Sequence, residues 1–218
     1  MRRVVRAIRT APATSGYVLA LAATTLVLQT SSPRMAKRLL LAHSTNLRHL
    51  ATDPIRVLIG SAFWLTASWQ LVAWAVLFAV VLAPVERRIG SGRTTLVFAA
   101  GHIGATLLTA LGLWIALQLD AVEHSVVNAP DVGASYGFFA VAALMTVLLD
   151  RRLRVVYASG IALFVLGSLA LTHTFTDVGH LLSVLLGVAC LPLARRARRV
   201  ATPIGEQLLR LTPRPEAV

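Results

Sequence analysis

Six stretches of the chain carry no Asp, Glu, Lys or Arg: residues 10–33, 57–85, 94–119, 132–149, 155–176 and 178–194. An α-helix rises 1.5 Å per residue, so about 20 apolar residues cross the ~30 Å hydrocarbon layer of a bilayer. The pattern predicts six transmembrane helices at roughly 11–31, 68–85, 94–118, 132–149, 155–172 and 178–194. The expected fold class is all-α, a polytopic membrane protein whose short connections set sequential helices antiparallel. Residues 32–67 form a longer connection with amphipathic and apolar pieces. Within it, residues 57–66 are too apolar for water, yet ten residues rise only ~15 Å and cannot cross. That segment is expected to dip into the bilayer edge or lie flat on it. The Arg-rich start and the apolar run from Tyr17 to Leu28 have the outline of a secretory signal. No small-residue cleavage site follows in Leu28-Gln29-Thr30-Ser31-Ser32, so the run is read as a retained first span. There is no internal repeat, which argues against an inverted-repeat transporter.

Composition agrees: 56% of the 218 residues are hydrophobic and 14% charged, against about 25% charged in soluble domains. The net charge of +12 would suggest a nucleic-acid partner if it were spread over one soluble domain, but it alternates with the spans. The termini and the connections at 86–93 and 150–154 hold sixteen cations against four acids, whereas the other side holds five of each. By the positive-inside rule the basic side is cytoplasmic, with both termini on it. The chain therefore divides into a basic N-terminus at 1–10, a six-helix membrane domain at 11–194 with its external loop at 32–67, and a basic tail at 195–218. The tail is read as a topology determinant attracted to anionic lipid, and no nucleic-acid partner is expected. Cys190, the one cysteine, lies within the last span, so no intrachain disulfide is expected. An excess of Arg over Lys with abundant Ala and Val fits a GC-rich bacterial genome, which places the chain in a bacterial inner membrane.

Small residues gather on particular spans. Gly133 and Gly137 make a G-x-x-x-G pair, Gly101, Gly104 and Ala105 line the third span, and Ser183 and Gly187 repeat at four-residue spacing in the sixth. Such residues let helix backbones approach closely, so the fourth and sixth spans are expected to touch. Titratable groups inside spans are costly and mark candidate function. His180 lies about three residues, or ~5 Å of rise, below the external start of the sixth span. Ser135 lies at nearly the same depth in the fourth. A serine hydroxyl is a weak nucleophile until a base takes its proton, and a neutral imidazole suits that task near pH 7. Asp177 and Asp131 are placed to cap the sixth and fourth spans. His102 is read nearer the cytoplasmic half of the third span, at a depth wrong for partnership with His180, as an interhelical hydrogen-bonding group. The scattered His43, His49, His124 and His173 give no metal-ligand spacing, and neither metal nor cofactor is expected. Gly90-Ser91-Gly92 reads as a turn, and Trp64, Trp69 and Trp74 as interface and packing aromatics near the outer leaflet.

Three separated motifs, in order, resemble those of rhomboid intramembrane proteases. Glu86-Arg87-Arg88-Ile89-Gly90-Ser91-Gly92-Arg93 resembles their Glu-x-x-x-Gly-Ser-x-Arg/Lys turn, Gly133-Ala134-Ser135-Tyr136 their Gly-x-Ser-Gly motif, and Gly179-His180 through Gly187 their histidine helix. The resemblance covers roughly residues 55–195. It implies a six-helix rhomboid-like bundle in which Ser135 attacks a peptide carbonyl in or near a substrate's membrane segment while His180 moves the proton. It also implies a water-filled cavity open to the outside and transmembrane proteins as substrates or clients. Two departures stand out. Tyr136 replaces the second glycine of Gly-x-Ser-Gly, with Gly137 following. The His-x-x-x-Asn pair that helps hold the oxyanion falls on Gln70 and Trp74, whose amide and indole N–H are the donors left. Losing an oxyanion donor costs ~100–1,000-fold in rate, so the alternative is a rhomboid-like pseudoprotease that binds membrane clients without cutting them.

Overall fold

The computed structural model describes residues 9–194. The expected tail at 195–218 and most of the basic N-terminus lie outside the described residues. Helices follow as α1 (Pro12–Thr30), α2 (Pro33–Ala42), α3 (Leu47–Thr52), α4 (Pro54–Phe63), α5 (Gln70–Ile89), α6 (Ser91–Gln118), α7 (Ser135–Leu148), α8 (Arg151–Thr172) and α9 (Phe175–Ala194). No strand occurs among the described residues.

Five of these helices, α1, α5, α6, α8 and α9, are long and apolar enough to cross a membrane, and the chain is a multi-pass membrane protein. The element at the fourth predicted span is shorter than expected: it is α7, whose 11 α-helical and three 3-10 residues reach about 21 Å. Freedom from charge marked residues 132–134 as helical, but the backbone there is not. Gly133 has φ +138°, a conformation only glycine adopts without strain, and its N–H is bonded to Ser61 O rather than within a helix. Gly133 is therefore no helix-packing partner of Gly137.

The centre of the bundle is the triple contact of α6, α7 and α9. A methyl group at Gly187 would strike the main chain of Ala140, one at Gly101 the Ala140 side chain, and one at Gly137 the Phe98 ring. These glycines thus set how closely the helices approach. Ser183 Oγ, fully buried, donates to the Tyr136 carbonyl, which fixes the register of α9 on α7. The predicted closeness of the fourth and sixth elements holds.

Glu86 ties three elements together. Its carboxylate, 2% exposed, accepts from the Ala13 and Thr14 N–H groups at 2.8 Å, from Thr14 Oγ1 at 2.6 Å and from Ser91 Oγ at 2.6 Å. An anion at a helix N-terminus satisfies N–H groups that the helix itself cannot, so Glu86 caps α1 from the end of α5. Just beyond, Gly90 turns the chain into α6 with φ +88°. Within α5, Phe78–Leu82 widens to a π-turn ahead of Pro84, whose ring and missing N–H disrupt the regular ladder. At the C-terminal end of α7, Arg88 and Arg154 donate to the carbonyls of Leu148 and Thr146.

α8 is the outlier. Val165 is its one fully buried side chain, and a cleft of about 240 Å³ separates its middle from α7 and α9. It is held at its ends, by Asp150 capping its own N-terminus and by Ser168 and Thr172 donating to Asp177 of α9.

Candidate functional site

α7 begins in the interior of the bundle because two segments that do not cross the membrane carry the chain there. α4 ends in a 3-10 turn whose carbonyls are claimed by α1: Tyr17 Oη donates to Ala62 O at 2.5 Å and Thr24 Oγ1 to Phe63 O at 2.6 Å. Gly133 N then donates to Ser61 O at 2.9 Å, which suspends the loop before Ser135 from that turn. The other side of the loop is held by residues 44–46. Ser44 Oγ accepts from Asp131 N at 2.8 Å, and Thr45 N donates to Asp131 O at 2.9 Å. The Thr45 hydroxyl reaches both Asp131 O and Oδ2.

Asp131 therefore does not cap α7, as its position suggested. The N-cap residue is Ala134, without a side-chain hydrogen bond, because the Asp131 side chain is spent on Thr45. Burial pushes its carboxyl up to about 6, a rise partly offset by Thr45 and Tyr136. Asp177 does cap its helix. It forms a capping box with Thr174 and also accepts from Ser168 and Thr172, and it makes no hydrogen bond to His180.

Ser135 is the first residue of α7 and half-buried. Tyr136 follows, buried, with its ring against Gly179: a methyl group there would overlap the Tyr136 Cζ, Oη and Cε1 atoms. The same ring stands edge-on to the His180 imidazole, centroids 5.5 Å apart, and 6.4 Å from His102. Phe139 also packs on His180, centroids 4.7 Å apart. Positions 135 and 139 are one turn apart on a helix and share a face, so His180 contacts both the neighbour of Ser135 and the residue one turn below it. Both imidazole nitrogens are buried and make no hydrogen bond among the described residues, and none joins Ser135 to His180. The Tyr136 hydroxyl lies beside Asp131 and Thr176 but forms no hydrogen bond of good geometry.

His102 lies about 17 Å along α6, a helix about 42 Å long, so it falls in the first half of that helix as expected, and its Nε2 is 3.0 Å from Ser61 Oγ. The expected bond to a serine of another helix is present. Its ring also lies against Tyr136, so the two histidines share a neighbour, with no ring contact or hydrogen bond between them among the described residues. Gln70 and Trp74 are not brought to Ser135 by any hydrogen bond. Gln70 Oε1 accepts from Thr66 N and Ala67 N, opening its own helix, while Trp74 packs on Phe78 and on Phe138 of α7 at 5.4 Å each. Of the other tryptophans, Trp69 is exposed, whereas Trp64 is buried against His43 rather than placed at an interface.

Several contributors had only a faint sequence signal. Phe139 was findable from its four-residue spacing to Ser135, and the run Ser44-Thr45-Asn46 from being polar between apolar pieces. Thr106 and Thr109, buried and without hydrogen-bond partners among the described residues, gave none. They line a cavity with Thr45, Asn46 and Asp131 of about 10 Å³, the room one water needs. No group of three metal-ligating side chains occurs among the described residues.

The site is thus a buried histidine beside the start of a short helix, on a bundle of helices long and apolar enough to cross a membrane. A family model described as rhomboid-like protein matches residues 6–200, and the chain belongs to the rhomboid-like protein family. No curated protein and no solved structure matches it.

Proposed function

We propose that the protein is a rhomboid-type intramembrane serine peptidase that hydrolyses peptide bonds in or near membrane segments of other proteins. Ser135 Oγ attacks the scissile carbonyl carbon while His180 takes the hydroxyl proton. The imidazolium then hands that proton to the leaving amine, and water releases the acyl group from Ser135 by the same route. The observation that carries this reading is the buried His180 imidazole, with no bond on either nitrogen, packed against the residues that flank Ser135 on α7. A base not committed elsewhere is what the hydroxyl requires.

The oxyanion is met by α7 itself. Its first intrahelical bond runs from Phe138 N to Ala134 O, and no side chain caps the end, so the N–H groups at its start are left for a developing negative charge. Gln70 and Trp74 act in support, Trp74 through its packing on Phe138 and Gln70 through the amide nitrogen its own turn does not use. A client helix approaches beside α8, the span least joined to the rest.

A second reading, recognition of membrane clients without cleavage, is favoured by Tyr136. Its ring occupies the surface of Gly179 next to His180, and the serine and histidine share no hydrogen bond. A fluorophosphonate probe separates the two. Under the peptidase reading it labels the protein, and Ser135→Ala and His180→Ala each abolish labelling and the cleavage of a transmembrane reporter while the fold persists. Client capture by the unmodified chain without labelling or cleavage refutes catalysis.

A further inference from the structure

The even balance of five cations and five acids on one side of the sequence conceals a local imbalance in the fold. Asp53 pairs with Arg56 at 3.3 Å. Asp131 is held by Ser44 and Thr45, and Asp177 is spent on the ends of α8 and α9. Asp120 and Glu123 lie in the separate connection after α6. On α2, Arg34, Lys37 and Arg38 stand at i, i+3 and i+4, hence on one face, and all three are exposed. None forms an ion pair among the described residues.

The position of α2 says what these charges meet. Pro33 follows the end of α1 by three residues, and Ser32 caps the turn by accepting from Met35 N, so α2 starts at the membrane surface where α1 emerges. Its opposite face carries Ala36, Leu39 and Leu40, half-buried. Ala36 and Leu40 overhang a cavity of about 210 Å³ shared with the end of α1 and with residues 65–68. A short helix with an apolar underside and a cationic top, tethered at that level, lies in the plane of the interface. There its cations face lipid headgroups.

We propose that Arg34, Lys37 and Arg38 form a binding surface for the phosphate groups of anionic phospholipids. The bound lipid holds α2 on the bilayer and, through it, steadies the loop that presents Ser135. The connection is short. His43, just after α2, packs on Trp64 with ring centroids 4.8 Å apart, and the next two residues make the hydrogen bonds to Asp131, four positions before Ser135. The surface binds lipid whether or not Ser135 cleaves anything. An acidic segment of a client protein would meet the same charges, but it would leave the apolar underside unexplained.

The test is amide hydrogen exchange on the full chain in nanodiscs of phosphatidylcholine, with and without phosphatidylglycerol, at low and high salt. Each cation engaged by an anionic surface contributes about fivefold. Phosphatidylglycerol is therefore expected to slow exchange at residues 33–42 by at least fivefold, with a smaller slowing at 129–134, and salt to reverse both. The variant Arg34→Gln/Lys37→Gln/Arg38→Gln should lose the response, and Arg34→Lys/Arg38→Lys should keep it, with exchange in α6 and α9 unchanged in each. Equal exchange in the two lipids for the unmodified chain overturns the proposal, even if the glutamine variant fails to fold. A response that survives in a folded glutamine variant also overturns it, as does stronger protection by an acidic peptide in phosphatidylcholine than by phosphatidylglycerol.

Discussion

Gly179 and Tyr136 form a contact that a double-mutant cycle can read directly. In Gly179→Ala the new methyl group would overlap the Tyr136 ring, including Cε1 at 2.5 Å. That ring is 3% exposed and hemmed in by His180 and His102, so it cannot swing aside. Overpacking of this kind costs ~1–3 kcal/mol. Tyr136→Ala opens a space instead. Truncating a buried aromatic residue costs ~3–5 kcal/mol in soluble proteins. In a bilayer the lower end applies, because the separated helices stay in hydrocarbon and only packing is lost. Combined, the two changes remove the clash, and the methyl group added at position 179 fills part of the vacated volume. The double variant should therefore be more stable than the sum of the singles by ~1–3 kcal/mol. Reversible unfolding in mixed micelles, followed by circular dichroism or steric trapping, supplies the four free energies. Additivity within ~0.5 kcal/mol would mean that the ring does not rest on Gly179, and the account of how His180 is walled in would fail with it.

Two further outcomes follow from buried polar groups. Glu86→Ala leaves two N–H groups and two hydroxyls without their acceptor, and unsatisfied buried groups cost ~1–3 kcal/mol each before relaxation. A loss of at least ~2 kcal/mol is expected, with Glu86→Gln milder, and equal stability of Glu86→Ala and the unmodified chain in the same unfolding assay would refute the capping role. For Asp131, a folded pKa raised to about 6 from an ordinary value near ~3.9 means that the folded state holds the extra proton across this interval. Its contribution to stability is full below the unfolded value and is lost as pH rises through the folded one, with no change above. The protein should therefore be more resistant to unfolding near the acidic end of that window than at neutral pH. Asp131→Asn should flatten the difference, and an unchanged pH slope in that variant rules the assignment out.

The spanning helices were legible because exclusion of charge over twenty residues has essentially one physical cause, and α1, α5, α6, α8 and α9 all fall where that exclusion occurs. The start of α7 was less legible. Residues 132–134 are as uncharged as their neighbours, but the backbone turn at Gly133 and the hydrogen bonds that hold Asp131 depend on Ser44, Thr45 and Ser61, which are distant in sequence. The same distance hid which group His102 would bond, since Ser61 comes from a segment read as lying at the bilayer edge. Asp177 was legible as a cap because its partner Thr174 is three residues away, whereas Asp131 was misjudged by the same local rule because a remote threonine outcompetes the helix end. Glu86 stood out in the sequence only through its motif. Its capping of α1 joins positions more than seventy residues apart, and no local pattern contains that information.

The position of Ser135 follows from a constraint on backbone in hydrocarbon. Non-helical peptide groups facing lipid cost several kcal/mol each, so a loop that descends to the bundle interior survives only where protein encloses it and supplies partners. Here the enclosure is α4 and the 44–46 segment, and the partners are Ser61 O for Gly133 N and the Ser44 and Thr45 groups for Asp131. Ser61 is in turn anchored by His102, and its neighbours by Tyr17 and Thr24 of α1. An apparently dispensable connection between the first two spans is thus what allows α7 to start inside the bundle without a side-chain cap. The shortness of α7 and the length of the connection at 31–69 are consequences of one requirement: polar backbone carried to depth has to be walled in by chain that does not itself cross.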